Sequence, residues 1–173
     1  MKTVIQDLDI DPSKVRCGLV TYADQAHVAF GLRTYSSAET AKEAVLLVTQ
    51  LRGKTRTDLA LRKMMEMMAK DKRFGVPQIG IVITDGDSDN TTATRVEAEA
   101  AHKAGITMFA VGIGMAVNET ELSSIASQVE FVFKVESCDG LERLRKVLTT
   151  TVCYIESQND TTTRQPACSS TQR

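Results

Sequence analysis

Residues 81–90 read IVITDGDSDN, which sets three alternating carboxylates, Asp85, Asp87 and Asp89, directly after a run of apolar and β-branched residues. Carboxylates at the mouth of a buried strand coordinate a hard dication, attack a phosphoryl group, or serve as hydrogen-bond acceptors in an acidic turn. Spacing narrows the choice. Counted from Asp85 as an EF-hand calcium loop, the sixth position needs glycine and holds Asn90, and the twelfth needs glutamate and holds Val96. That loop is excluded. Gly53-Lys54-Thr55 has the ending of a phosphate-binding P-loop, but Val48 stands where the first glycine belongs and the segment before it reads as a helix. Gly112-Ile113-Gly114 follows a strand without the third glycine of a dinucleotide fingerprint.

Composition removes other classes. The chain has 173 residues, 42% hydrophobic and 25% charged, with a formal net charge of -1. That size suits one domain with a proper core, and the charge balance argues against nucleic-acid or anionic-membrane binding. No apolar run is long enough to span a bilayer, and MKTVIQDLDI lacks the apolar stretch of a signal peptide. Cys17, in VRCGLVTY, reads as a buried core thiol, with no CxxC pair among Cys17, Cys138, Cys153 and Cys168. Cys153 and Cys168 flank a polar tail and can pair in an oxidising compartment. All three asparagines, Asn90, Asn118 and Asn159, start N-x-[ST] sequons, which favours an extracellular location and marks them as glycosylation candidates.

The elements that must position these residues follow from periodicity. Val15 to Tyr22 predicts a buried strand, and Ala26, Val28, Phe30 and Leu32 alternate with a wet face that carries His27. Ser36 or Ser37 can cap a helix through Ala41, Ala44, Val45, Val48 and Leu51. Thr57 or Asp58 can cap the next, with Leu61, Met64, Met65 and Met68 inward. Ile79 to Thr84 and Ile106 to Gly112 are continuous apolar runs, the pattern of parallel strands buried on both faces. Between them Ala93, Val96, Ala100 and Ala104 predict a helix with a small-residue face, His102 exposed off that stripe, and Gly105 as its stop. Asn118 can cap a short helix carrying Leu122, Ile125 and Ala126. Phe131 to Val135 reads as a last strand, and Leu141, Leu144, Leu148 and Val152 as a closing helix. The alternation predicts an α/β fold: a doubly wound, mostly parallel sheet with helices on both faces and one antiparallel edge strand.

Taken in order, VRCGLVTYAD, FGLRTYSS, LRGKTRTDLAL, IVITDGDSDN and GITMFAVGIG resemble a von Willebrand factor A-type domain, nearest to the extracellular-matrix branch of matrilins and non-fibrillar collagens. The resemblance covers residues 1–155 and leaves 156–173 as a polar, Thr-rich linker or tail. It implies a Rossmann-like fold with a metal-ion-dependent adhesion site at the carboxyl ends of the parallel strands. That site takes ligands from a D-x-S-x-S motif after the first strand, a Thr after the second helix and an Asp after the fourth strand. In this sequence the Thr is Thr55 and the Asp is Asp85; no D-x-S-x-S occurs. Asp7-Leu8-Asp9-Ile10-Asp11 is a surface turn at a helix end, not that loop. The expectation is therefore an A-type domain truncated at its N-terminus, without its first, central strand, in a fragment, truncated gene model or splice form. Its adhesion site is incomplete and binds Mg²⁺ (or Mn²⁺ or Ca²⁺) weakly or not at all. Asp87 and Asp89 are expected only to add negative charge at a helix N-terminus. The implied function is secreted, non-enzymatic binding of matrix proteins such as collagen. Two alternatives stand beside it. Asp85-x-Asp87 resembles the nucleophile motif of haloacid-dehalogenase-type phosphatases, giving a Mg²⁺-dependent enzyme, although Asp89 departs from that pattern. The other is an intracellular A-type assembly scaffold.

Overall fold

A computed structural model describes residues 8–49 and 51–136. Expectations for Cys138, Cys153, Cys168, Asn159, the closing helix and the 156–173 tail lie outside these residues. The elements run β1 (Leu19–Tyr22), β2 (Ala26–Phe30), α1 (Ala38–Leu47), α2 (Thr57–Lys70), β3 (Gln78–Thr84), α3 (Thr91–Lys103), β4 (Ile106–Ile113), α4 (Glu119–Ile125), a 3₁₀ turn (Val129–Phe131) and β5 (Val132–Val135). No described helix is long and apolar enough to cross a membrane.

β3, β4 and β5 form a parallel sheet in that order, with Gln78 opposite Ile106 and Ala110 opposite Val132. Parallel strands need crossover connections, and α3 supplies the first. β4, flanked on both sides, is enclosed on both faces, and this is why its sequence is an unbroken apolar run. Phe109 is its centre, stacked on Phe131 at 4.4 Å between ring centroids and parallel to Phe133 at 6.3 Å. α2 lays Leu61, Met64 and Met68 on this sheet. The approach leaves little space at Gly80, where a Cβ would stand 2.6 Å from Met108 Sδ and 2.7 Å from Met64 Sδ.

β1 and β2 form a separate antiparallel hairpin, Tyr22 opposite Ala26 and Leu19 opposite Phe30. α2 reaches it too, with Met67 against Gly18. Among the described residues, no strand pairs with β1 on the side away from β2, nor with β3 on the side away from β4. The sheet is thus in two pieces, separated by a cleft of about 250 Å³ whose walls include Leu19, Val20, Ile79 and Ile81 and whose floor includes Leu61 and Met64. A smaller cluster, Ile10 and Ala41 with Cys17, Tyr35 and Val45, packs apart from the main core.

Several local expectations are corrected. The buried face of α3 is Thr94, Ala98 and Ala101, and Val96 is 54% exposed. The assumed stripe is rotated because Thr94 goes inside, its hydroxyl donating to Ser88 Oγ at 3.0 Å. His102 is half-buried, not exposed, with Nε2 3.0 Å from the Ile125 carbonyl oxygen. Val28 is exposed, so the β2 alternation fails at its centre. The first strand covers only Leu19–Tyr22, and Leu51 lies exposed beyond the end of α1. Neither Thr57 nor Asp58 caps α2; Arg56 holds that position without a side-chain cap bond. Ser37, Asn90 and Asn118 do cap, each accepting from backbone N–H groups of the first turn.

Candidate functional site at the carboxyl edge of the sheet

β3 ends at Thr84, which places Asp85 at the carboxyl edge of the parallel sheet, the edge at which open α/β sheets bind ligands. The strand turns into the loop through Thr84 Oγ1, which donates to the Gly86 carbonyl at 2.8 Å. Asp89 then staples this loop to the one before α2. Its backbone N–H donates to the Thr55 carbonyl at 3.0 Å, and its carboxylate accepts the Thr55 N–H. The Thr55 loop is fixed on its other side by Arg56 N–H donating to the Ala23 carbonyl at 3.1 Å. Gly53, at φ +133°, brings it against the Asp24 carboxylate with no room for a Cβ. Thr55 and Asp85 therefore stand on adjoining loops, although 30 positions separate them in sequence.

The neighbouring carboxylates are committed. Asp87 Oδ1 accepts the Asn118 N–H at 2.8 Å. Glu121 accepts both the backbone N–H of Ser88, at 3.0 Å, and its hydroxyl. Asp58 is buried and takes two hydrogen bonds from the Arg56 guanidinium, at 2.8 and 2.7 Å, which hold its carboxyl below the ordinary aspartate range. The expectation that Asp87 and Asp89 contribute only diffuse charge is thus corrected: both make specific backbone contacts. Asp85 is exposed and no described group donates to it.

Tyr22 closes the same end of the cleft between the two sheet pieces. Its hydroxyl donates to the Ile83 carbonyl at 3.3 Å. Burial pushes its ionisation above the usual phenol range, hydrogen bonds with Thr84 and Thr57 oppose that, and the Asp85 and Glu121 carboxylates add to it. Tyr22 is accordingly neutral and able to donate.

Neither the Asp85 carboxylate nor the Thr55 hydroxyl is hydrogen-bonded to another described group, and both are oxygens of the hard kind that suits Mg²⁺ or Ca²⁺. Among the described residues, no group of three or more His, Cys, Asp or Glu could hold a metal ion. Mg²⁺ demands near-octahedral oxygen coordination, so this pair fits only a weakly held, mostly hydrated ion. Asn90 and Asn118 are exposed on the loops at this edge. Each accepts its cap bonds through Oδ1, from Ala93 N–H at 2.9 Å and Thr120 N–H at 2.9 Å.

The family model described as the von Willebrand factor type A domain matches residues 1–147. The chain belongs to this family. The A-type domain is 39% identical over 131 residues to human matrilin-4, a match covering 72% of this chain and 21% of that protein. It is 31% identical over 153 residues to the human collagen alpha-1(XXI) chain, covering 87% of this chain and 16% of the collagen. The chain thus spans about a fifth or less of the length of these relatives. Among solved structures, the A-type domain superposes on proximal thread matrix protein 1 of the mussel byssus, in the form with a zinc-occupied MIDAS motif. The TM-score is 0.77 at 29% identity, covering 88% of this chain and 39% of that one. Helices with a parallel three-stranded sheet and an antiparallel pair match the Rossmann-like fold of the family. A divalent-metal site thus belongs to the family fold.

Sequence reasoning placed Asp87 and Asp89 at this edge but not their partners, and it missed Tyr22 and the Ser88–Glu121–Thr94 cluster. Their partners lie 31 to 61 residues away along the chain for Asp87, Ser88, Asp89 and Tyr22, so no local spacing reports them.

Proposed function

We propose that this A-type domain is an extracellular, non-enzymatic binding module that takes matrix-protein ligands, collagen among them, at or beside the carboxyl edge of its sheet. The observation that carries the reading is the state of Asp85: exposed and unengaged, amid loops whose other carboxylates are tied to backbone groups. The matrilin and collagen relatives and the byssal matrix protein support the matrix setting. Asp85 and Thr55 would hold a Mg²⁺, Mn²⁺ or Ca²⁺ ion, which when bound attracts a carboxylate of the ligand. The Asp89 staple orients Thr55, and Tyr22 keeps the floor of the edge closed. The domain extends over residues 1–155, with 156–173 a linker, and Asn90, Asn118 and Asn159 carry glycans. A phosphatase reading has less support, because Asp87, which follows the would-be nucleophile, is held by the Asn118 backbone.

Surface plasmon resonance on immobilised collagen and other matrix proteins tests this, with and without chelator, for the wild type and Asp85→Ala. Binding that Asp85→Ala weakens, without hydrolysis of p-nitrophenyl phosphate, is the expected result. Calorimetry should give a Mg²⁺ affinity of about 1 mM or weaker. A micromolar value would overturn the incomplete-site reading, and Asp85-dependent phosphatase turnover would overturn the module itself.

A further inference from the structure

The chain is almost neutral, yet its charges divide between the two ends of the sheet. Carboxylates gather at the carboxyl edge, and cations gather at the opposite, amino edge. α2 and α3 lie side by side, with Arg62 Nε donating to Glu97 Oε1 at 3.0 Å. Both helices lead into the starts of parallel strands, where Gln78 stands opposite Ile106. Lys70 and Lys103 in their last turns, and the link 71–77 before β3, therefore share one edge.

That link is cationic. Lys72 and Arg73 stand in it, and Arg16 lines a small cavity together with them. Arg73 is braced by Nη1 donating to the Ser13 carbonyl at 3.3 Å. The one acid of the link, Asp71, is neutralised by Arg33, whose Nε lies 2.7 Å from its carboxylate. The pairing is lopsided: the Asp71 side chain is 15% exposed and the Arg33 side chain 69%, so the surface presents the cation. Next to Arg73 the chain turns sharply. Val76 N–H donates to the Arg73 carbonyl at 3.4 Å, and Gly75 takes φ +71°, which favours glycine. This turn holds Phe74 wholly in water. Lysines in a helix's last turn answer the helix dipole, which accounts for Lys70 and Lys103. It accounts for neither the charges of Lys72 and Arg73 nor the exposed ring, all of which lie beyond the helix.

Clustered cations attract a polyanion, and the ring among them narrows the kind. A sulfated sugar chain alternates anionic groups with apolar C–H faces of its rings, so it meets the cations and the phenyl together. A bilayer anchor needs more apolar area than Phe74 and the partly exposed Val76 offer. We propose that the amino edge of the sheet binds a sulfated glycosaminoglycan chain. Lys72, Arg73, Arg33, Lys70 and Lys103 receive its sulfates and carboxylates, and Phe74 packs on a sugar ring. This surface lies across the domain from Asp85 and needs no divalent cation.

The test uses the full 173-residue chain. The probe is a fluorescent heparin octasaccharide, followed by anisotropy, with its desulfated form as control. Binding should weaken by about tenfold or more as NaCl rises from about 50 to about 200 mM, and chelator should leave it unchanged. Lys72→Gln with Arg73→Gln should weaken it by about tenfold, and Phe74→Ala by about threefold, at unchanged urea midpoints. Arg33→Gln removes one cation and also unmasks Asp71, so it should cost more affinity than Lys72→Gln alone; adding Asp71→Asn should recover part of the loss. Lys54→Gln, on the far edge, should have little effect. Absence of binding at about 50 mM NaCl, equal binding of the desulfated chain, or an equal loss from Lys54→Gln would overturn the proposal. Phe74-dependent co-sedimentation with vesicles of equal parts phosphatidylserine and phosphatidylcholine, without heparin binding, would overturn it in favour of a lipid surface. Loss of binding on chelation would move the contact to the carboxyl edge and overturn it as well.

Discussion

In β4, Met108, Phe109, Ala110 and Val111 are each fully enclosed, whereas in β2 His27, Val28 and Ala29 all face solvent. Both are strands of one domain, yet different forces hold them. The parallel sheet is fixed by a shared core with α2, α3 and α4. The hairpin is fixed by its own ladder, by α2 beneath it, and by hydrogen bonds from Tyr22 to β3. Stability should therefore be concentrated in the parallel piece, and the hairpin should open first.

Substitutions on the two sides should separate them. Phe109→Ala removes the ring at the centre of the parallel piece and should lower unfolding free energy by about 3–5 kcal/mol, read as a shifted urea midpoint. Protection of β4 amides should fall by the same amount. Asp58→Asn breaks the pair at the start of α2, the helix both pieces share, and should cost about 1–3 kcal/mol at neutral pH. The sign of its pH dependence follows from the shift. The folded carboxyl lies below its ordinary value of 3.8. Its contribution is therefore complete above that value and is lost as pH falls through the lower, folded one. Asp58→Asn should flatten this acid limb in denaturation curves at stepped pH.

Matched helix caps sharpen the comparison further. Asn90→Ala uncaps α3 on the parallel side and should cost about 1 kcal/mol of global stability. Ser37→Ala uncaps α1 beside the smaller cluster, and should appear as faster exchange in α1 with a much smaller change in the urea midpoint. The smallest effect is expected from Tyr22→Phe, about 0.5 kcal/mol, with faster exchange confined to Leu19–Tyr22. Equal acceleration in β4 would show that the two pieces open as one.

What could be read in advance tracks how locally each feature is determined. β3 and β4 were legible because burial on both faces writes an unbroken apolar run. The caps at Ser37 and Asn118 were legible because a cap and its partners lie within three residues; the cap at Asn90 was not read, although its partner Ala93 is equally near. The face of α3 was not: Thr94 counts as polar in any periodicity, and only Ser88, across the loop, allows its hydroxyl inside. Thr55 and Asp85 were singled out by the order of motifs along the chain, and the structure sets them on adjoining loops. The Asp89 link that brings their loops together spans 34 residues and leaves no spacing signal.

That link has a thermodynamic consequence. Asp89 grips the Thr55 backbone at both its N–H and its carbonyl, so the two loops are ordered before any cation arrives. On the proposed reading, a cation entering between Thr55 and Asp85 would freeze little additional chain. Its binding enthalpy and entropy should then report ion dehydration and the number of oxygen donors, with a heat-capacity change near zero. Tighter binding at this pair would call for more donors, since the loops are already preorganised.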